Sequence, residues 1–322
     1  MDHLSVLALL RKIKKRNIID ADLAGLGIIQ LPSEIGQLTG LERLDLSENY
    51  LVELPPEIGR LTSLVTLDLS ENRLAKLPSE IGQLTRLREL MVSCNLLDHL
   101  PREISQLEHL HMLDLYLNRL HILPPEIWLL RNLIWLGVAG NALESLSPEI
   151  TQLSNLRELL VSENRLLGTL PVEIGQLTNL TYLEAYGAGL TGLPSIIGAL
   201  RQLKHLEIYD NNLTRLPATL CQNRQLTFLY AANNKIDSLP AEIGQLIHLR
   251  ELDLRLNCLT SLPSSIADLP SLQSLHLAGN PLSTLSPGVE NLLRLNKLRK
   301  IKKDFLYPGR PPKKWNPPVS RN

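Results

Sequence analysis

A chain of 322 residues with 44% hydrophobic but only 4% aromatic content suits a core of interlocking Leu and Ile. No stretch approaches the ~20 apolar residues a bilayer span needs, and Cys94, Cys221 and Cys258 lack the clustered spacing of disulfide-bonded caps. The net charge of zero hides an acidic middle, with 19 Lys/Arg against 29 Asp/Glu between Leu31 and Asn296, flanked by basic ends.

In chain order, residues 1–30 read as a capping helix and a first half-repeat. Leu4, Leu7, Leu10 and Ile13 recur every three residues, which predicts a helix lying across an open end. No basic residue precedes this run, and Arg11, Lys12, Lys14, Lys15 and Arg16 follow it directly, so it does not read as a secretory signal. From Ile18 the phase of the following repeat already runs, with Ala21 and Leu23 inward and Leu26 at the place of an asparagine.

Residues 31–284 repeat one sentence of 23 residues. Copies start at Leu31, Leu54, Leu77, Leu100, Leu123 and Leu146, and after a single 24-residue interval at Leu170, Leu193, Leu216, Leu239, Leu262 and Leu285. Gly168 sits near the extra residue. In Leu41–Leu51, Leu44 and Leu46 alternate as a short strand, so they point inward while Arg43, Asp45 and Ser47 point outward. Asn49 follows where the chain leaves the strand, and its amide both donates and accepts. Its copies at Asn72, Asn95, Asn118, Asn141, Asn164, Asn211, Asn234, Asn257 and Asn280 predict a structural ladder. Pro32 is expected at the first helical position of a convex turn, with Ile35 and Leu38 inward and Gly36 relieving crowding. Ala188, between Gly187 and Gly189, breaks the ladder, which predicts a weak or mobile turn there. Residues 285–322 read as a degenerate last repeat, a second capping helix through Leu292, Leu295, Leu298 and Ile301, and a basic, Pro-rich tail.

A solenoid in which each unit contacts only its neighbours follows, with a parallel sheet on its concave side. Among the 33 outward strand positions from Leu31 onward, an even spread of the twelve aromatic residues would place about one, and a strand preference two or three. Seven are found: Tyr116, Trp135, Tyr182, Tyr186, Tyr209, Phe228 and Tyr230. Glu158, Glu184 and Glu207 lie among them, whereas Asp45, Asp68, Asp114 and Asp253 belong to a Leu-Asp-Leu wording common to the frame. Clustered exposed rings mark a surface that something covers, and Tyr and Trp are frequent binding hot spots. The ten named rings and glutamates are therefore the candidate partner-binding residues. Rings beside carboxylates suit a basic segment and repel phosphates, so the expected ligand is a protein and not nucleic acid.

No phosphate-binding loop, nucleophile elbow or zinc-protease pair occurs, so no catalytic residue, cofactor or metal is assigned. His99, His109, His111 and His121 scatter between strand edge and loop and read as solvated.

The frame L-x-x-L-x-L-x-x-N-x-L is that of leucine-rich repeats, and the fuller L-P-x-E-I-G-x-L-x-x-L-x-x-L-D-L-S-x-N-x-L resembles the Ras-group class. That class includes the Ras suppressor protein, plant intracellular Ras-group-related proteins and the repeat segments of Roco and Scribble-type proteins. The repeats at Leu193, Leu216 and Leu262 depart from Glu-Ile-Gly, reading Ile196-Ile197-Gly198, Thr219-Leu220-Cys221 and Ser265-Ile266-Ala267. The resemblance implies an α/β solenoid, a right-handed open horseshoe, in a monomeric cytoplasmic adaptor. It implies signalling partners such as a small GTPase or a phosphatase, with no enzymatic activity. The alternative is the recognition arm of a larger signalling enzyme, a Roco GTPase, a kinase or a ubiquitin ligase.

Overall fold

Each 23-residue sentence makes one coil, and the coils stack with their strands side by side. The computed structural model describes residues 1–283. The expected last repeat from Leu285, the second capping helix and the basic tail lie outside the described residues. Within them run twelve three-residue strands: β1 (Asp20–Asp22), β2 (Arg43–Asp45), β3 (Thr66–Asp68), β4 (Glu89–Met91), β5 (Met112–Asp114), β6 (Trp135–Gly137), β7 (Glu158–Leu160), β8 (Tyr182–Glu184), β9 (His205–Glu207), β10 (Phe228–Tyr230), β11 (Glu251–Asp253) and β12 (Ser274–His276). They pair in parallel in sequence order, and β1 does not close on β12, so the sheet is open. The middle residue of each strand points into the coil, and Leu44, Leu67, Leu90 and their copies are buried.

Between consecutive strands, five residues form a 3-10 turn, from Ser33–Gln37 to Ser264–Asp268. Pro32 sits one residue ahead of the first helical position, extended at φ −67°, and its carbonyl accepts the N–H of Ile35 at 3.0 Å. In other repeats Pro56, Pro125 and Pro148 do occupy the first helical place. Gly36 matters for close approach: a Cβ there would lie 2.8 Å from the carbonyl oxygen of Glu57 in the next coil.

The asparagine ladder has one geometry throughout. Asn49 donates Nδ2 to the carbonyls of Leu23, Leu46 and Ser47 and accepts the N–H of Ile28. One side chain thus satisfies backbone groups of two coils at the buried corner. The residue before each ladder position has a positive φ. Among the described residues this falls on eight non-glycines, including Glu48, Glu71, Leu117 and Leu256, and on Gly140, Gly187 and Gly279.

The break at Ala188 is not a weak turn, and the 24-residue interval explains why. In the other repeats a buried leucine or isoleucine two places after the asparagine donates its N–H to the next asparagine, as Leu51 does to Asn72 at 2.9 Å and Ile236 to Asn257 at 3.0 Å. The extra residue lets Leu167, in the coil before Ala188, turn back and donate to Asn164 O at 2.9 Å. Gly168 N donates to Ala188 O at 3.0 Å, and Asn211 Oδ1 accepts from both Ala188 N and Leu190 N at 3.1 and 2.9 Å. Ala188 is fully buried. The inserted residue and the missing amide cancel.

Helix α1 (His3–Lys15) covers the first coil with Leu10 and Ile13 of the expected row, but the row does not hold at its start. Val6, Leu10 and Ile13 are buried, and Leu4 is 76% exposed. A spacing of three drifts on a helix of 3.6 residues per turn, so Leu4 and Ile13 end on opposite sides.

Candidate protein-binding face

Three columns of side chains line the concave sheet, two from the ends of each strand and one from the residue two places beyond it. In the first column Tyr182, His205 and Phe228 follow one another on β8, β9 and β10, with ring centroids 5.6 and 4.6 Å apart. In the third, Tyr186 and Tyr209 stack at 4.4 Å with planes 6° apart. Between these rows, in the middle column, Glu184 and Glu207 are direct cross-strand partners, and Tyr230 is next in line. The sheet here carries a trench with carboxylates on its floor and rings along both sides.

The two carboxylates share one phenol. Tyr182 Oη stands 2.7 Å from Glu207 Oε1 and 3.2 Å from Glu184 Oε2. Burial, then the neighbouring Glu207 charge, pushes the Glu184 carboxyl up to about 7, opposed by hydrogen bonds from Ser162 and Tyr182. Burial also raises Glu207, opposed by its bond to Tyr182. With Glu184 protonated, one directed chain results: Glu184 donates to the Tyr182 oxygen, and the Tyr182 hydroxyl donates to Glu207. Burial and the adjacent carboxylates raise the phenols of Tyr182, Tyr186 and Tyr230, so they stay neutral donors.

Trp135 on β6 and Glu158 on β7 continue the first column, Glu158 being the direct cross-strand partner of Tyr182. The outer edge of the Trp135 ring lies over Gly137 of its own strand, where any Cβ would collide with it. Burial raises the carboxyl of Glu158, its partner on β7, and the neighbouring Trp135 side chain opposes that shift. Tyr116 leaves the sheet from β5 and is half-buried. The ten sequence-derived residues thus fall on neighbouring strands: the trench from Tyr182 to Tyr230, Trp135 and Glu158 leading into its first column, and Tyr116 beyond the end of β5.

Two expectations need correction. Tyr209 was expected to be an exposed anchor outside the core, but at 8% exposed it is buried beneath its stack with Tyr186. His111 is not a solvated histidine. It is half-buried, and its Nδ1 has no hydrogen-bond partner. The Leu-Asp-Leu carboxylates do structural work: Asp45, Asp68, Asp114 and Asp253 each accept the backbone N–H two residues on, at 2.8–3.1 Å. Sequence reasoning missed His205, which completes the first ring row. Its signal was its column position between Tyr182 and Phe228, and a tally restricted to Phe, Trp and Tyr overlooks it. Ser162, which accepts the Tyr186 N–H at 3.1 Å, was missed too.

Leucine-rich repeat family profiles match residues 20–96, 85–143, 155–177 and 232–282. A leucine-rich-repeat protein of Leptospira interrogans is 36% identical over 84% of this chain and 80% of its own, with a TM-score of 0.59. The chain belongs to the leucine-rich-repeat family. This leucine-rich-repeat chain is also similar to the plant peptide hormone receptor RGFR1, solved in complex with RGF2. The two are 34% identical over 80% of this chain, with a TM-score of 0.72, and the match spans 43% of the receptor chain. An internalin of Listeria monocytogenes shares the fold alone, at 21% identity and a TM-score of 0.68 over 91% of this chain and 92% of its own. No curated protein sequence matches. Among the described residues no helix is long and apolar enough to cross a membrane, and no three His, Cys, Asp or Glu side chains come together as metal ligands.

Proposed function

We propose that the chain is a non-catalytic adaptor that captures a basic or apolar-basic protein segment on its concave face, across the repeats from Leu100 to Leu216. The observation that carries this reading is the trench: two ring rows flanking Glu184 and Glu207 on an otherwise open sheet. Clustered half-buried rings supply anchor area, and carboxylates between them steer a cationic segment and fix its register. The similar receptor RGFR1 was solved with a bound RGF2. A cytoplasmic signalling role fits the Ras-group wording of the repeats and the three unpaired cysteines.

The test is a displayed peptide library selected on the full chain. Selected ligands should be rich in Arg, Lys and apolar residues. Trp135→Ala with Phe228→Ala should weaken them by roughly tenfold or more. Glu184→Lys with Glu207→Lys should slow association, most at low salt. Glu57→Ala with Glu80→Ala on the convex side should change nothing. Ligands indifferent to the concave substitutions but lost with the convex pair would overturn the proposal.

A further inference from the structure

Glu184 and Glu207 have no cation of their own. Among the described residues no ion pair includes either. The groups facing Glu184 are Tyr182 on its own strand, Tyr186 at its exit, Tyr116 from beyond β5, Ser162 and Glu163 from the turn after β7, and Glu207 and Tyr209 from β9, with His205 beside Tyr182. All are acids, phenols or a hydroxyl except His205, whose burial and neighbour Lys204 favour the neutral ring. Beyond Glu207 come Tyr230 and Glu251, and Arg255 further along the sheet is already forked onto Asp253 at 2.5–3.1 Å. An unbalanced carboxylate pair between ring rows is complementary to one positive charge.

The spacing of the carboxylate pair selects which cation. Paired strands lie about 4.8 Å apart, so a group bridging both carboxylates must present diverging donors in one plane. A guanidinium has five N–H donors in a rigid fork; an ammonium is a strongly hydrated point charge. A quaternary ammonium has no N–H to give and needs ring faces around it, but Tyr186 and Tyr209 turn their faces on each other. We infer that the trench takes one arginine side chain of the bound segment, its guanidinium donating to Glu184 and Glu207 between Tyr182 and the Tyr186–Tyr209 stack. This rests on the concave-face reading above and adds the residue type that the face selects. Binding replaces the shared proton: protonated Glu184 gives its proton to solvent as the guanidinium arrives, and both carboxylates end ionised beside one cation.

The experiment titrates the full chain with N-acetylarginine methylamide, its neutral citrulline isostere and N-acetyllysine methylamide, followed by amide NMR shifts. The arginine compound should shift the amides of Tyr182, Glu184 and Glu207 saturably at pH 8. Citrulline and lysine compounds should bind roughly tenfold or more weakly, as expected for losing charge-assisted hydrogen bonds. Lowering the pH from 8 to 6 should weaken the arginine compound by up to about tenfold, because proton release on binding rises from a small fraction at pH 8 towards one at pH 6. Glu184→Gln with Glu207→Gln should abolish the shifts while Tyr186 ring signals keep their stacked positions. Equal binding of arginine and citrulline, equal binding of arginine and lysine, or pH-independent affinity would each overturn the arginine site. No concave shift at any soluble concentration, with library ligands still lost in the Trp135→Ala/Phe228→Ala variant, sinks this inference alone. Concave shifts with library ligands indifferent to that variant sink the broader reading instead.

Discussion

Strands β2–β4 and β8–β10 are built on the same buried leucines, Leu44, Leu67 and Leu90 against Leu183, Leu206 and Leu229, yet their concave faces share almost nothing. In the first group Asp45 and Asp68 bend back onto the N–H groups of Ser47 and Ser70, and Ser93 bonds to Ser70 at 3.0 Å. In the second, Glu184 and Glu207 are one methylene longer and meet across strands through Tyr182. One methylene separates a carboxylate used by its own turn from one that reaches Tyr182 across strands. Frame and face are therefore separable: residues that hold the coil are the same in both regions, and residues that can recognise something differ.

The largest expected effect tests the frame. Asn72→Ala removes an amide that serves four backbone groups, and Asn211→Ala one that serves five, because Asn211 also covers Ala188. With each unmet buried group costing about 1–3 kcal/mol, both substitutions should be severe, and Asn211→Ala should have the lower urea midpoint. Equal midpoints would mean that the Ala188 corner draws on another partner. Next comes the face. The folded Glu184 carboxyl, at about 7, holds its proton more tightly than an unperturbed carboxyl at 4.5. Stability should therefore fall as pH rises through that window. Glu184→Gln lifts the penalty, so the variant should exceed the parent at pH 8 by at most about 3 kcal/mol and match it near pH 4.5. Thermal melts at both pH values decide; a gain equal at both would show that burial of the charge is not its cause. Smaller again is Ala188→Asn. Leu167 N is already paired and the site is full, so urea denaturation should show a loss of about 1–3 kcal/mol from overpacking. A gain would restore the reading of Ala188 as a defect.

The coil was legible because a 23-residue spacing repeats the same inward leucines and corner asparagine, so local geometry is stated many times over. The column positions of Tyr182, Glu184 and Phe228 followed from strand alternation alone. What stayed hidden depends on contacts between non-identical coils. The stack that buries Tyr209 needs Tyr186 beside it, and the compensation at Ala188 needs the extra residue in the preceding coil. The capping face of α1 was misread because Leu4, Leu7, Leu10 and Ile13 fit a period of three, which an α-helix does not have.

The left-handed residue ahead of each ladder asparagine has a practical side. At eight described corners a side chain sits where L-residues pay roughly 1 kcal/mol for their backbone conformation. Most of these side chains, Glu48, Glu71 and Leu256 among them, are exposed and belong neither to the leucine core nor to the trench. Glycine or asparagine at these corners would relax the backbone in small, independent steps. The array thus carries a row of adjustment screws along one edge, by which its thermal tolerance can be raised coil by coil while the concave face is left as it is.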